Sequence, residues 1–302
     1  MRIVYMGTPD FAVPALRALA ASPKHEVAAV FTQPDKPQGR KQIMTPPDVK
    51  VCALELGIPV CQPSSMKTDE ALELLDSFAP EVIVVAAYGQ ILPKPVLELP
   101  KYGCVNIHGS LLPKYRGAAP IQQAVLDGEA VTGVTAMLMD VGLDTGDILM
   151  KKETPIGENE TAGELFDRLS RLGAELILET LDGLEAGTLV PEKQDEALAT
   201  HTAKIDKSLC PVDFNKSAEE VHNKIRGLYP WPVATCELAG KRVRLHRAAI
   251  VDKSGRPGEL LSEKPLIIAC GSKAIELLEL QPEGKKKMTA EAFAAGYLRR
   301  EK

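Results

Sequence analysis

Nothing in the 302-residue chain approaches the ~18 consecutive apolar residues that a membrane-crossing helix requires. The opening residues, Met1-Arg2-Ile3-Val4-Tyr5-Met6, lack the longer apolar region and cleavage site of a secretory leader, and read instead as a first strand. A cytoplasmic protein that engages no membrane is therefore expected. Cysteine pairs are missing too. The six cysteines, Cys52, Cys61, Cys104, Cys210, Cys236 and Cys270, are scattered and form no C-x-x-C. That spacing argues against a disulfide framework or a zinc cluster, and for reduced, mostly buried thiols with no metal. Gly7-Thr8-Pro9, after the first strand, lacks both G-x-G-x-x-G and G-x-x-x-x-G-K, so it is not read as a nucleotide-phosphate loop. Tryptophan occurs once, at Trp231 between two prolines, a setting that suits domain packing better than base stacking. No internal repeat or low-complexity segment is present.

Hydrophobic residues make up 45% of the chain and charged residues 25%. This is enough for a sizeable core and, at roughly 100–200 residues each, for two domains. The net charge of −5 hides an asymmetry. Residues 1–206 carry 18 Lys and Arg against 29 Asp and Glu, whereas residues 207–302 carry 18 against 12. A basic C-terminal part behind an acidic N-terminal part points to a polyanionic partner; an unevenly charged solvated surface gives the same counts.

Apolar runs at 2–6, 26–32, 81–88, 103–108, 133–140 and 147–154 read as strands. Helical periodicity marks 11–21, 49–56, 69–78, 120–126 and 161–184. Thr8 or Asp10 is placed to cap the first helix. Such alternation implies an α/β, Rossmann-like, mainly parallel sheet with helices on both faces. Ligands of such sheets bind beyond the carboxyl ends of the strands. Residues 1–185 are expected to form this domain, and the polar stretch 186–207 a linker. From 208 to 302 the pattern changes: a helix at 219–226, then closely spaced strands at 234–238, 242–249, 258–261, 266–269 and 275–281, the mark of a small barrel.

The chemistry concentrates in residues 106–147. Asn106 and His108 end the run Cys104-Val105-Asn106-Ile107-His108, and residues two apart on a strand share a face. An amide donates to a carbonyl oxygen or a developing oxyanion, and an imidazole exchanges protons near neutral pH. Asp144, in the glycine-rich turn Gly142–Asp147, is the natural acid partner, with Asp140 and Asp147 as competitors on spacing alone. The plainer reading is a structural strand histidine and a turn aspartate.

These residues, with Ser110-Leu111-Leu112-Pro113 and Leu143-Asp144-Thr145-Gly146, resemble the N-x-H, S-L-L-P and L-D-x-G motifs of the 10-formyltetrahydrofolate-dependent formyltransferase family. The segments GTPDFAVPAL (7–16), FTQPDKPQGR (31–40), AYGQILP (87–93), RGAAPIQ (116–122), TGVTAMLMDVGLDTGDIL (132–149) and IRGLYPWP (225–232) extend the likeness along nearly the whole chain. The resemblance implies an enzyme that moves a formyl group directly from 10-formyltetrahydrofolate to the α-amine of initiator methionyl-tRNA for translation initiation, without a metal. It assigns catalysis to Asn106, His108 and Asp144. The folate would lie against Ser110, Leu111, Leu112 and Pro113 and the loop Tyr88, Gly89, Gln90, Ile91 and Leu92. The second domain would be an OB-type barrel, and the protein a monomer.

In the family the loop corresponding to Gln33–Pro47 enters the acceptor end of the tRNA, which makes Lys36, Arg40 and Lys41 candidate contacts. This chain departs from the pattern: Lys41-Gln42-Ile43 stands where a glycine and paired lysines are expected. Fewer charges there imply weaker phosphate contact. Lys204, Lys207, Arg242 and Arg244 are further tRNA candidates, and alternation puts the last two on one strand face. Competing readings are formylation of a small amine (an amino-sugar nucleotide or glycinamide ribonucleotide), hydrolysis of the formyl folate, and a non-catalytic RNA-binding protein. The proline-rich basic loop and basic second domain weigh against the first, and retention of Asn106, His108 and Asp144 against the last.

Overall fold

The computed structural model describes residues 1–39 and 41–298. The first elements are β1 (Arg2–Gly7), α1 (Val13–Ala21), β2 (Glu26–Phe31), β3 (Lys36–Gln38), β4 (Ile43–Thr45), α2 (Asp48–Glu55), β5 (Val60–Cys61), α3 (Asp69–Asp76) and β6 (Val82–Ala86). Next come α4 (Lys94–Leu97), β7 (Cys104–His108), β8 (Arg116–Gly117), α5 (Pro120–Leu126), β9 (Val131–Leu138), β10 (Ile148–Pro155), α6 (Ala162–Ala186) and β11 (His201–Thr202). The last are α7 (Ala218–Gly227), β12 (Ala234–Leu238), β13 (Lys241–Val251), β14 (Leu260–Glu263), β15 (Leu266–Ala269), β16 (Ala274–Pro282), β17 (Met288–Thr289) and α8 (Ala290–Phe293). They group into two compact units. One comprises Met1–Gly117, Thr132–Thr154 and Phe166–His201; the other comprises Ala118–Val131, Pro155–Leu165 and the chain from Thr202 onward.

The first unit is built on a seven-stranded sheet in the order β10-β9-β7-β6-β1-β2-β5. β-branched residues dominate β6, Val82-Ile83-Val84-Val85-Ala86, and all five are buried. Such a run fits a central strand covered on both faces. β1 pairs parallel with β2 and β6, and β6 with β7, while β9 runs antiparallel to β7. The sheet is therefore mainly parallel, as the alternation of elements requires. On β7 the register sets Asn106 opposite Met137 and His108 opposite Thr135. Val4, Met6, Phe31, Leu75, Ile83, Val85, Tyr88 and Leu92 belong to one apolar cluster in this unit.

Short elements escaped the sequence pattern. β5 has two residues and α4 four, too few for either periodicity to register. Gln33–Pro47 is not simply a loop: β3 and β4 pair as a hairpin, with Lys36 opposite Thr45. Its root is anchored where Lys50 and Gln62 donate to Asp35, each at 2.8 Å. Gln62 and then Lys50 hold the Asp35 carboxyl below the usual range.

In the second unit the strands pair antiparallel in the order β12-β13-β16-β15-β14, with β17 on β16. Val243, Leu245, Leu266, Ile268, Ile275, Leu277 and Leu280 from the sheet pack with Ala218, Val221 and Ile225 of α7 and with Phe293. α7 starts with a reciprocal cap, Ser217 accepting from the Glu220 N–H and Glu220 from the Ser217 N–H. The small β domain expected after residue 207 is thus present.

All six cysteines are free, and four are buried. Burial pushes the Cys104 and Cys236 thiols up to about 12. Among the described residues no helix is long and apolar enough to cross a membrane.

A second reciprocal cap opens α6. Glu164 accepts from the Thr161 N–H at 2.9 Å, and Thr161 Oγ1 accepts from the Glu164 N–H at 3.3 Å. Arg247 also donates to Glu164. The Thr161 backbone, then Arg247, hold the Glu164 carboxyl down from 4.5 to about 2. A depressed folded-state value stabilises the fold above the unfolded value, and that contribution disappears as pH falls through the folded value. Glu164→Gln should therefore lower Tm at neutral pH, and the gap to wild type should close between pH 4.5 and about 2 in a calorimetric pH series.

Candidate active site

β7 ends at His108, at the carboxyl edge of the parallel strands, where α/β sheets bind their ligands. His108 is 6% exposed. Its Nε2–H donates to the Tyr115 carbonyl at 2.9 Å. Nδ1 faces Asp144 Oδ2 at 3.7 Å. That separation is too long for a direct hydrogen bond, so Nδ1 is the nitrogen left to exchange a proton, directly or through one water. Asp144 Oδ2 is itself held by the Gly117 N–H at 2.8 Å. Tyr115 and Asp144 both occupy the left-handed backbone region, at φ 62° and 55°. This conformation is uncommon for residues with a Cβ, and it turns the Tyr115 carbonyl and the Asp144 carboxylate to the same imidazole.

The three competing carboxylates separate cleanly. Asp140 Oδ1 accepts from the Gly142 N–H at 2.9 Å and from Thr145 Oγ1 at 2.6 Å, so it closes the turn. The Asp147 carbonyl accepts from the Leu138 N–H, continuing the strand pairing. Asp144 alone of the three is paired with His108. Gly146 lets the turn close: a Cβ there would stand 1.7 Å from the Leu138 carbonyl oxygen.

Asn106 lies on the same side of β7 and is half-buried. Its amide has no hydrogen-bond partner among the described residues, which leaves a donor and an acceptor beside the imidazole. This arrangement can hold a carbonyl oxygen with an amide N–H while a proton passes through His108 Nδ1.

The Ser110–Pro113 loop is tied to β9. Thr135 Oγ1 donates to the Ser110 carbonyl at 2.7 Å and accepts from the Leu112 N–H at 3.1 Å. Ser110 Oγ donates to the Lys114 carbonyl. Ser110 and Leu112 are buried, the latter against Met137 and Ile148. Leu111 and Pro113 are the half-buried members.

The loop after β6 divides in the same way. The side chains of Tyr88 and Leu92 are core residues, 2% and 4% exposed. Gln90 is committed to the backbone, accepting from the Met66 N–H and donating to the Pro63 carbonyl. Exposed here are Gly89, at φ 82°, and Ile91, at 74%. A ligand at this loop meets backbone and Ile91 rather than five side chains. Tyr115, Gly117 and Thr135, which act through backbone groups or a buried hydroxyl, carry no sequence signal of their own.

Lys36 and Lys41 are exposed at the β3–β4 hairpin, and Arg40 lies outside the described residues. In the second unit Lys207, Arg242 and Arg244 line one recess of about 160 Å³ with Cys210, Pro232, Thr235 and Glu283. Lys204 is exposed but does not line it. Among the described residues, Arg247, Lys273 and Lys287 are salt-bridged to Glu164, Glu219 and Glu279, whereas Lys207, Arg242 and Arg244 have no such partner.

The formyl transferase family model matches residues 1–181, and the model for its C-terminal domain matches residues 204–298. A methionyl-tRNA formyltransferase of Citrifermentans bemidjiense is 50% identical over 98% of this chain and 94% of its own length. One of Desulfotalea psychrophila is 51% identical over 98% and 93%. In fold alone, the chain is similar to an N-formyltransferase from Helicobacter canadensis solved with folinic acid and dTDP-3-aminofucose. That likeness has a TM-score of 0.67 at 19% identity, over 91% of this chain and 98% of the other. HypX from Aquifex aeolicus, solved with tetrahydrofolic acid, gives a TM-score of 0.66 at 19% identity over 99% of this chain, which spans 48% of HypX. Matched by a family model over 1–181 and half identical to curated relatives along 98% of its length, the chain belongs to the formyl transferase family.

Proposed function

We propose that this enzyme transfers the formyl group of 10-formyltetrahydrofolate to the α-amine of initiator methionyl-tRNA, the step that prepares the aminoacyl-tRNA for translation initiation. The observation that carries the reading is the open Asn106 amide beside the His108–Asp144 pair at the end of β7, in a chain half identical to proteins named methionyl-tRNA formyltransferase.

The neutral α-amine attacks the formyl carbon and a tetrahedral oxyanion forms. Asn106 donates to that oxygen, an interaction that strengthens as charge develops and so lowers the barrier. Through water held by Asp144, His108 Nδ1 takes up the proton that the attacking amine loses and passes it to the departing folate nitrogen, while the Tyr115 carbonyl holds the ring through Nε2. The amine is already a nucleophile, so the route needs no covalent enzyme intermediate.

The folate lies along Ser110, Leu111, Leu112 and Pro113 and the backbone of Tyr88, Gly89, Gln90, Ile91 and Leu92. Residues 1–185 are the catalytic domain, 186–207 the connection, and 208–302 the tRNA-binding domain. Lys36, Arg40 and Lys41 meet the acceptor end, while Lys204, Lys207, Arg242 and Arg244 meet phosphates further along.

Formyl transfer should be measured with initiator and elongator methionyl-tRNA, with a small-amine acceptor, and without acceptor. Rapid transfer to the initiator alone supports the reading; turnover without acceptor, or with the small amine only, refutes it. His108→Ala should lower transfer about 10²- to 10⁴-fold and Asn106→Ala about 10²- to 10³-fold, with unchanged circular dichroism. Near-normal turnover in either folded variant removes that residue from the mechanism.

Charged recognition of tRNA should appear in the salt dependence of binding. Abolishing one cation–phosphate interaction flattens the slope of log K against log salt by about 0.7–0.9. Arg242→Gln combined with Arg244→Gln removes two cations and should flatten the slope by about 1.4–1.8 in fluorescence anisotropy, whereas Glu283→Gln should tighten binding by removing the carboxylate from the recess. Unchanged slopes in the double variant would make the recess an ordinary solvated surface.

A further inference from the structure

A guanidinium within the first unit is 1% exposed, and the transfer chemistry does not use it. Arg116 Nε and Nη2 donate to Gln194 Oε1 at 3.0 and 2.9 Å. Nη1 and Nη2 donate to the two carboxylate oxygens of Glu196 at 2.9 and 2.7 Å. Arginine has donors only, so the Gln194 oxygen must face Arg116. The Gln194 amide nitrogen then points the other way. It donates to the carbonyl of Asp144 at 2.8 Å and to that of Gly146 at 2.8 Å. Both hydrogens of one NH₂ group are therefore spent on the turn that carries Asp144.

We infer that Gln194 is a positioning residue for formyl transfer: its amide, oriented by Arg116, pins the 144–146 turn so that the Asp144 carboxylate meets His108 and the Gly117 N–H. The inference rests on the proposed role of the His108–Asp144 pair. The turn needs such a tie for three reasons visible in its geometry. Asp144 sits at φ 55°, a backbone state that surrounding contacts must enforce. Val141 and Leu143, in the same turn, are 78% and 65% exposed, so little apolar packing holds it. Asp140 braces the segment only from within, through Gly142 and Thr145. Gln194 supplies the bonds from outside the turn, to two carbonyls that flank Thr145.

Arg116 lies between the two backbone groups that hold the pair, the Tyr115 carbonyl and the Gly117 N–H. The side chain of residue 116 thus reaches the Asp144 turn by one route, through Gln194, and the backbone of residue 117 reaches it by another. The two routes close a ring of contacts around Asp144. Small displacements at a reacting centre are expensive: about 1 Å can cost about 10²-fold in rate.

Gln194→Glu separates positioning from mere anchoring of the chain. A carboxylate still pairs with Arg116, which keeps the buried guanidinium satisfied and the fold intact, but it has no N–H to give the two carbonyls. The variant should lose about 10- to 100-fold in kcat, with KM for the folate donor and for tRNA nearly unchanged and Tm close to wild type. Amide hydrogen exchange at Gly117, read by NMR, should accelerate by about tenfold or more as Asp144 Oδ2 leaves its N–H. Gln194→Met, which removes the same donors without adding charge, should reproduce both effects.

Wild-type kcat in these variants overturns the inference. So does a fall in kcat with Gly117 exchange unchanged, because the loss then arises elsewhere. Retained turnover in His108→Ala would instead defeat the reading of the site, and the Gly117 measurement, which needs no turnover, keeps the two failures apart.

Discussion

One three-residue segment, Tyr115-Arg116-Gly117, holds the His108–Asp144 pair from both sides. The Tyr115 carbonyl fixes His108 through Nε2, and the Gly117 N–H fixes Asp144 through Oδ2. Because a carbonyl can only accept, Nε2 must carry the proton, and the tautomer is settled before substrate arrives. That leaves Nδ1, on the Asp144 side, for the proposed proton transfer. The remaining features of the site serve this arrangement. The left-handed backbone at Tyr115 and Asp144 aims the groups, Gly146 admits the close approach of the turn to β9, and Thr135 ties the following loop to the sheet.

The substrates proposed for this site explain why rigidity is concentrated there. In the proposed reaction an amine displaces a nitrogen leaving group from a one-carbon unit. Acceleration must come from placing an amide donor at the oxygen and a proton at the leaving nitrogen at the same moment. In the proposed mechanism both come from β7, from two side chains on one strand face. A strand inside a seven-stranded sheet is a stiffer support than a loop. Asp144 is the member carried by a turn, and that turn is tied to its surroundings through Gly117 and Gln194.

Much of this was legible in the sequence. The β-branched runs at β1 and β6, the amphipathic repeat of α6 and the Asn106/His108 alternation on β7 each follow from a local period that tertiary structure did not override. The folate candidates were less transparent. Tyr88-Gly89-Gln90-Ile91-Leu92 marks a real loop after β6, yet Tyr88 and Leu92 point into the core and Gln90 is held by Met66 and Pro63. Composition cannot tell which residues of a short loop face inward. The β3–β4 hairpin was hidden by its prolines, which suppress strand propensity although the edge pairs form. Arg116, inside a recognisable segment, gave no hint of burial, since an arginine is ordinarily read as exposed. Its partners Gln194 and Glu196 lie in a stretch whose polarity reads as linker. The basic residues show the reverse: Lys207 and the Arg242/Arg244 pair are far apart in sequence, and their convergence on one recess depends on how residues 207–210 lie against β12 and β13.

Cys104 opens β7, two positions before Asn106, and its thiol is tied to the Val96 carbonyl at 3.6 Å. With its ionisation pushed up to about 12, it presents almost no thiolate at neutral pH while the strand is in place. Alkylation of this one sulfur therefore waits on the fluctuation that lifts the start of β7 from α4 and the sheet. The chain carries an internal clock for the opening of β7, readable by mass spectrometry after exposure to an ordinary thiol reagent.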